Sequence, residues 1–394
     1  MKTIRTKYGN KVKIFAKTIE DTALQQITDF ANFDAYKDSL IRIMPDCHAG
    51  KGCTIGTTMT IKDKVTPNLV GADIGCGMLT LKLKEKDIDL QNLDRVIHSK
   101  VPSGRAVHKK VQRVFDFSSL RRKYELDLDR AAKAIGSLGG GNHFIELGKN
   151  KQGDIFLVIH SGSRGIGNDV AKLYQKTAVE QMKKTVDLNG LIEKLKSEGR
   201  YSEIEQAVKN AKNRQIKINT DLAYLSGEAK DDYLNDMQII QRYATLNRRT
   251  IADIILENTG LSEDYSFETV HNYIDFERMI LRKGAVRAEK DEVLLIPLNM
   301  RDGSLICKGK GNPDWNYSAP HGAGRLMSRS MAKQNIRLDD FKNQMKGIYS
   351  SSVGKSTIDE APEAYKPKEE ILEIIGDTVE VLDVLKPVYN FKAH

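Results

Sequence analysis

The run Asp154-Ile155-Phe156-Leu157-Val158-Ile159-His160 constrains the fold more than any other stretch. Its centre is apolar without a break, whereas a strand with one wet face alternates apolar and polar residues. It predicts a strand covered on both faces, with His160 delivered at its end. Shorter alternating runs, Thr58-Met59-Thr60-Ile61 and Met78-Leu79-Thr80-Leu81-Lys82-Leu83, suit half-buried strands. Val293-Leu294-Leu295-Ile296 reads as a strand stopped by Pro297. From about 85 to 135 the pattern turns polar and helical, and from 168 to about 258 it turns charged and helical. There Leu234, Met237, Ile240, Ala244, Asn247, Ile251, Ile254 and Ile255 recur at three- and four-residue spacing. That spacing gives one helix a buried face and puts Arg248 and Arg249 on its outer face. The expected class is α+β, a single large mixed-sheet domain over 1–394. The block 168–258 is read as a helical insertion within it, because candidate site residues lie on both sides.

Those candidates cluster where glycines meet strand ends. Gly71-Ala72-Asp73-Ile74-Gly75-Cys76-Gly77 sets a carboxylate and a thiol three residues apart between glycines that permit tight turns. It reads either as a turn with a buried structural Cys or as a site for a borderline divalent metal such as manganese, iron, cobalt or zinc. Gly139-Gly140-Gly141-Asn142-His143-Phe144-Ile145-Glu146 feeds a short strand. Alternation puts Asn142, Phe144 and Glu146 on one face and His143 and Ile145 on the other. His160 is followed by the glycine-rich turn Ser161–Gly167, with Asn168 as a candidate cap for a helix from Asp169. His271 lies in Val270-His271-Asn272-Tyr273, and His321 in Pro320-His321-Gly322-Ala323-Gly324. The segment Pro45-Asp46-Cys47-His48-Ala49-Gly50-Lys51 reads as a loop displaying an Asp, a His and a Lys. Asp73, Cys76, His143, His160 and His271 are too many ligands for one tetrahedral site. They suit two ions if the Cys76 thiolate is shared, with positions left open for phosphate oxygens.

Composition bounds the partners. The chain of 394 residues is 40% hydrophobic and 29% charged, as soluble proteins are, and has no apolar run long enough to span a membrane. The first residues lack the apolar core of a signal peptide, so the cytoplasm is the expected compartment. Cysteines at 47, 53, 76 and 307 form neither a disulfide framework nor a CxxC zinc pair, which fits a reducing environment. A net charge of +9 favours polyanionic partners. The basic cluster Lys109, Lys110, Arg113, Arg121, Arg122 and Lys123 reads either as a solvated face or as an RNA contact.

In series, GADIGCGM at 71–78, GGGNHFIEL at 139–147, HSGSRGIG at 160–167, HNY at 271–273, RKGA at 282–285, KGKGNP at 308–313 and SAPHGAGRLMSR at 318–329 resemble the signature of the RtcB family of GTP-dependent RNA ligases. PDCHAGKG at 45–52 is similar to that family's PDVHxGKG loop. The resemblance covers nearly the whole chain. It implies a centre of two Mn²⁺ ions, one held by Asp73, Cys76 and His143 and the other by Cys76, His160 and His271. It implies GTP as cofactor and His321 as the nucleophile that accepts GMP. It further implies a nucleotide site framed by Asn142, His143, Phe144, Ile145, Glu146, His271, Asn272, Pro297, Leu298, Asn299, Met300, Ser304, His321, Gly322, Ala323, Gly324 and Lys392. The implied substrates are RNA ends bearing a 3′-phosphate or 2′,3′-cyclic phosphate and a 5′-hydroxyl, joined in repair or in tRNA splicing. Arg325 and Arg329 read either as phosphate contacts or as helix-surface residues. Where the family usually carries Pro-Gly-Ser-Met, this chain has Pro297-Leu298-Asn299-Met300, a departure that suggests a divergent branch. The competing expectation is a metal-dependent phosphohydrolase acting on RNA ends without a covalent nucleotide. Oligomeric state is left open.

Overall fold

The computed structural model describes residues 2–184, 188–216 and 219–392. Its strands are β1 (Lys2–Arg5), β2 (Lys11–Ile14), β3 (Ile41–His48), β4 (Ile55–Thr60), β5 (Gly77–Leu83), β6 (Phe144–Lys149), β7 (Ile155–Ser161), β8 (Glu263–Asp275), β9 (Ile280–Arg287), β10 (Val293–Asn299), β11 (Gly303–Gly309), β12 (Ser318–Pro320) and β13 (Val379–Lys392). They form one connected sheet in the order β1-β2-β3-β4-β9-β8-β5-β7-β6-β13-β11-β10, with β12 paired to β9. Pairing is antiparallel except between β2 and β3.

The unbroken apolar run lies in β7, between β5 and β6, with every residue buried. One face is covered by helices. Leu157 and Ile159 join Leu79, Leu81, Ile145 and Leu147 in a cluster with Ile251 and Ile255 of the 228–259 helix and Leu93 and Ile97 of the 90–100 helix. The opposite face is covered by the sheet itself, because Phe156, Val158, Phe144 and Met78 meet Leu295, Ile306 and Leu385. A single strand makes that fold-over. Residues 379–385 of β13 pair with β11, while residues 386–392 pair with β6. A similar corner occurs in β8, whose residues up to Val270 pair with β5 and whose residues from His271 pair with β9. Asn272 takes the corner with a φ of 72°.

Four local expectations change. Residues 45–48 are the end of β3 rather than a loop; the ladder to β4 shifts between Ile43 and His48, so Pro45 sits where its missing N–H breaks no regular pairing. The helix after β7 starts at Arg164, with Asn168 inside it and not at its cap. Gly165 and Gly167 weaken that first turn by about 1 kcal/mol each, but burial of Ile166 and Val170 in the main core outweighs them. The stretch 85–135, expected to be helical, holds helices only at Leu90–Lys100 and Leu128–Ala134, apart from a short 3₁₀ turn at Lys123–Glu125. Pro102 and Gly104 end the first helix, and the chain between it and the second is mostly irregular.

The fourth change bears on the site. Arg248, expected outside, is fully buried. Its guanidinium pairs with Glu268 of β8 at 2.7 Å and donates to the carbonyls of Gly75 and Ser161, each at 2.8 Å. Its neighbour Asn247 accepts from Gly136 N and donates to Ser137 O, Ser161 Oγ and Gly162 O. Two adjacent side chains of one helix thus tie together the three loops at 71–77, 136–143 and 161–163. Among the described residues, no helix is long and apolar enough to cross a membrane.

Arg248→Ala would leave Glu268 without its charge partner and two buried carbonyls without donors. The expected cost is roughly 3–5 kcal/mol, read as a marked fall in the thermal midpoint. A midpoint within a degree of wild type would show that the loops hold without this tie.

Candidate metal and nucleotide site

Cys76 ends the 71–77 loop and enters β5, His160 ends β7, and His271 stands at the β8 corner. His143 comes just before β6. Gly162 keeps the floor open: a Cβ there would lie 2.2 Å from Asp73 Oδ1, so only glycine lets that carboxylate in. Cys76 Sγ stands 3.3 Å from His160 Nε2 and 3.5 Å from His143 Nε2. His160 Nε2 is 3.4 Å from His271 Nε2, and His143 Nε2 is 3.0 Å from Asp73 Oδ2. Asp73, Cys76 and His143 make one donor group; Cys76, His160 and His271 make a second that shares the sulfur.

The chemistry of this set fits cations. His143 Nδ1 donates to Leu138 O at 2.8 Å, which leaves the Nε2 lone pair facing a carboxylate and a sulfur. Lone pairs so placed repel unless a cation or a second proton lies between them. In a tetrahedral site with bonds of about 2.0–2.3 Å, donors stand about 3.3–3.7 Å apart, close to these separations. Burial, reinforced by neighbouring imidazoles, holds His160 and His271 well below their ordinary pKa, so both are neutral and able to ligate. Burial alone would raise Asp73, but a second proton on His143 at Nε2, where no ion intervenes, with donors from Cys76 and Ser163, holds its carboxyl below the ordinary range. Burial and then Asp73 push the Cys76 thiol up in the ion-free protein; an adjacent cation reverses that balance.

His321 lies beside this cluster, its ring 4.8 Å from that of His271. Its Nδ1 is 2.6 Å from Oδ2 of the fully buried Asp46, and its backbone N–H donates to the same oxygen at 3.1 Å. A carboxylate only accepts, so Nδ1 carries the proton and Nε2 keeps its lone pair. Gly284 of β9 has a φ of 58°, and a Cβ there would sit 3.2 Å from the His321 ring and 2.2 Å from Ile55. Its bare Cα makes room for the imidazole.

A cavity of about 290 Å³ runs from this cluster past Asn142, Phe144 and Glu146 to Asn390 and Lys392. Glu146 accepts from Asn390 Nδ2 at 2.8 Å, and burial pushes its carboxyl up to about 7. Lys392 Nζ lies 4.8 Å over the Phe144 ring and pairs with Glu360 at 2.9 Å. Burial would raise Glu360, but Lys392 and Arg329 hold it at about 2. Arg329 also pairs with Asp359, and Arg325 donates to Asp359 O and to Glu360. Neither arginine is a bare surface group: carboxylates hold both at the cavity wall.

The cavity gathers Asp73, Cys76, Asn142, Phe144, Glu146, His160, His271, Asn272, Pro297, Leu298, Asn299, Met300, His321, Gly322, Ala323, Gly324 and Lys392. Three residues expected at the nucleotide do not line it. Ile145 packs in the core beneath the sheet, and His143 turns toward Asp73 and Cys76. Ser304 stands behind Glu146, its hydroxyl 3.5 Å from Oε1. Alternation explains Ile145, since it lies on the face opposite Phe144 and Glu146. The sequence marks Asp46 and His48 as displayed groups without revealing their partners. His48 lines the cavity with Nδ1 donating to Asp46 O at 3.1 Å, and burial pulls its pKa down to about 4.

Fold and cluster define a large mixed-sheet protein with a buried donor set of metal-ligand type. The sequence profile of the family described as tRNA-splicing ligase RtcB matches residues 26–126 and 117–393. The chain is 31% identical to RNA-splicing ligase RtcB of Escherichia coli (strain K12), over 97% of each protein. It is 27% identical to tRNA-splicing ligase RtcB of Aeropyrum pernix, over 92% of this chain and 89% of that protein. The chain belongs to the RtcB family.

Glu146 gives a pH test. Its folded pKa of about 7 exceeds the ordinary carboxylate value, so the folded state holds this proton more tightly than the unfolded chain. Stability from this group is therefore complete at low pH and is lost as pH rises from about 4.5 through 7, by roughly 3 kcal/mol at most. Thermal melts of the ligand-free protein should fall more between pH 5 and pH 8 in wild type than in Glu146→Gln. Parallel pH profiles would contradict this.

Proposed function

We propose that this chain is an RNA ligase that joins an RNA 3′-phosphate, or a 2′,3′-cyclic phosphate opened first, to a 5′-hydroxyl, using GTP and two Mn²⁺ ions. The observation that carries this reading is the Asp46–His321 pair, which presents an imidazole lone pair into a cavity between the metal-donor cluster and Glu146. His321 Nε2 would attack the α-phosphorus of GTP, forming a P–N bond as pyrophosphate leaves. GMP then passes to the RNA 3′-phosphate, freeing His321, and the 5′-hydroxyl displaces GMP to close the phosphodiester. Asp46 holds the Nδ1 proton and steadies the positive charge that develops on the ring.

Glu146 accepts from the donor edge of guanine, with Asn390 fixing its other oxygen. Phe144 and Lys392 close that end of the cavity. Asp73, Cys76 and His143 would hold one ion, and Cys76, His160 and His271 the other; when bound, they supply charge neutralisation and alignment of phosphate oxygens. The helices of 168–258 serve as the buttress of a single catalytic domain, through Asn247 and Arg248. The setting we infer is cytoplasmic, on ends left by RNA damage or by intron removal.

Incubation with α-labelled GTP and Mn²⁺ should give an acid-labile label on wild-type protein and none on His321→Ala. Asp46→Asn should label at least about 100-fold more slowly. Unlabelled wild-type protein that removes terminal phosphate from RNA would overturn the ligase in favour of a metal-dependent phosphohydrolase.

A further inference from the structure

One buried residue fixes two imidazoles. The Asp46 carboxylate accepts from Nδ1 of His321 at 2.6 Å, and the Asp46 carbonyl accepts from Nδ1 of His48 at 3.1 Å. With both Nδ1 protons engaged, each ring keeps a lone pair at Nε2. Both rings are half-buried and line the same cavity, so a molecule held there can reach either. Gly324 keeps them close: a Cβ there would lie 2.3 Å from the Asp46 carbonyl oxygen, so the turn after His321 packs directly on the backbone that holds His48.

His321 directs its lone pair at phosphorus, which leaves that of His48 without a task. The three proposed steps differ in what they ask of a base. In the first the nucleophile is an imidazole lone pair, and in the second it is an RNA phosphate oxygen that is already ionised. Only the third uses a neutral hydroxyl, whose proton must leave as its oxygen bonds to phosphorus. Among the described residues lining the cavity, His48 is the one base not otherwise engaged. Asp73 and its neighbours form the donor set, Glu146 accepts from Asn390, and the fully buried Asp46 holds His321. Tyr365 donates its hydroxyl to Glu360 at 2.6 Å, and Arg325, Arg329 and Lys392 are cations.

We infer that His48 Nε2 is the general base of the joining step, taking the proton of the RNA 5′-hydroxyl as that oxygen bonds to the 3′-phosphorus and the bond to GMP breaks. The inference rests on the ligase reading. GMP leaves with the electron pair of the broken P–O bond, and the imidazolium then gives its proton to solvent, which restores His48. The charged and titratable groups facing this ring are Asp46 on its own strand and His321 and Arg325 on the turn packed against it; Ile55, its partner in β4, carries no charge. Burial outweighs the hydrogen bond to Asp46 and, with His321 and Arg325, leaves the ring unprotonated across neutral pH. A base this weak accelerates less than one titrating near 7, but it is available at every pH above its own pKa.

The test follows labelled GMP from protein to a 3′-phosphorylated RNA, and then the joining of that RNA to a 5′-hydroxyl RNA, in single turnovers from about pH 6 to 9. His48→Gln keeps a donor for the Asp46 carbonyl and removes the base, whereas His48→Ala leaves a space that added imidazole can fill. Both should take label and pass it to RNA within about threefold of the wild-type rate, then accumulate guanylylated RNA and join it about 100-fold more slowly at the acid end of the range. Wild-type joining should be nearly flat with pH. The variants should speed up by close to tenfold per pH unit, as hydroxide replaces the missing base, and imidazole should restore part of the rate in His48→Ala. Should His48→Ala lose its fold, the pH slope of His48→Gln decides alone. A loss of one size at all pH values, without rescue by imidazole, would mark a structural role and overturn the inference. Protein labelling slowed as much as joining would overturn it too, by making His48 a support of the Asp46–His321 pair. Wild-type protein that joins RNA while the variants keep its rate and pH profile sinks this inference alone. Wild-type protein that neither takes label nor joins ends sinks the ligase reading with it.

Discussion

The structure depends on one crowded point, where the sulfur of Cys76 stands within 3.5 Å of two imidazole nitrogens and a third imidazole and a carboxylate close the ring. Taken without cations or added protons, this is an unfavourable arrangement: lone pairs face lone pairs in a region from which water is nearly excluded. The surrounding framework over-determines it. Arg248 and Asn247 hold the loops from the helical side, and Leu138 O fixes the His143 tautomer. Strain of this kind, sustained by ties that do not themselves touch a ligand, is the physical mark of a site built for something other than stability.

The sheet's two corners explain how one core can serve both structure and chemistry. Because β13 turns the β10–β11 arm over β6 and β7, the central strand is dry on both faces, and its terminal His160 emerges into the resulting fold. Because β8 leaves β5 for β9 at His271, that side chain is aimed by a backbone irregularity instead of regular pleating. Pairing of β12 with β9, Pro320 opposite Ala285, brings His321 beside Gly284, so the metal-donor cluster and the oriented imidazole share one wall.

Much of this was legible in the sequence. Local signals are strong where a glycine or the end of an apolar strand marks a special backbone, and that is how Asp73, Cys76, His143, His160, His271 and His321 stood out. The α+β class followed from the strand runs. What escaped were relations between distant residues: Asp46 and His321 are 275 positions apart, and no spacing rule links them. Arg248 was misplaced because periodicity sorts residues by polarity, and a buried ion pair defeats that sorting. Ile145 and Ser304, placed at the nucleotide by the family resemblance, do not line the cavity; the pleat turns Ile145 into the core, and Ser304 stands on a neighbouring strand against Glu146.

The sharing of Cys76 is open to direct observation by electron paramagnetic resonance. Protein loaded with two equivalents of Mn²⁺ should show an exchange-coupled spectrum from ions bridged through one thiolate, and Cys76→Ser should weaken or abolish that coupling. Two independent six-line signals in the wild-type protein, or one bound ion per chain at saturation, would contradict the account.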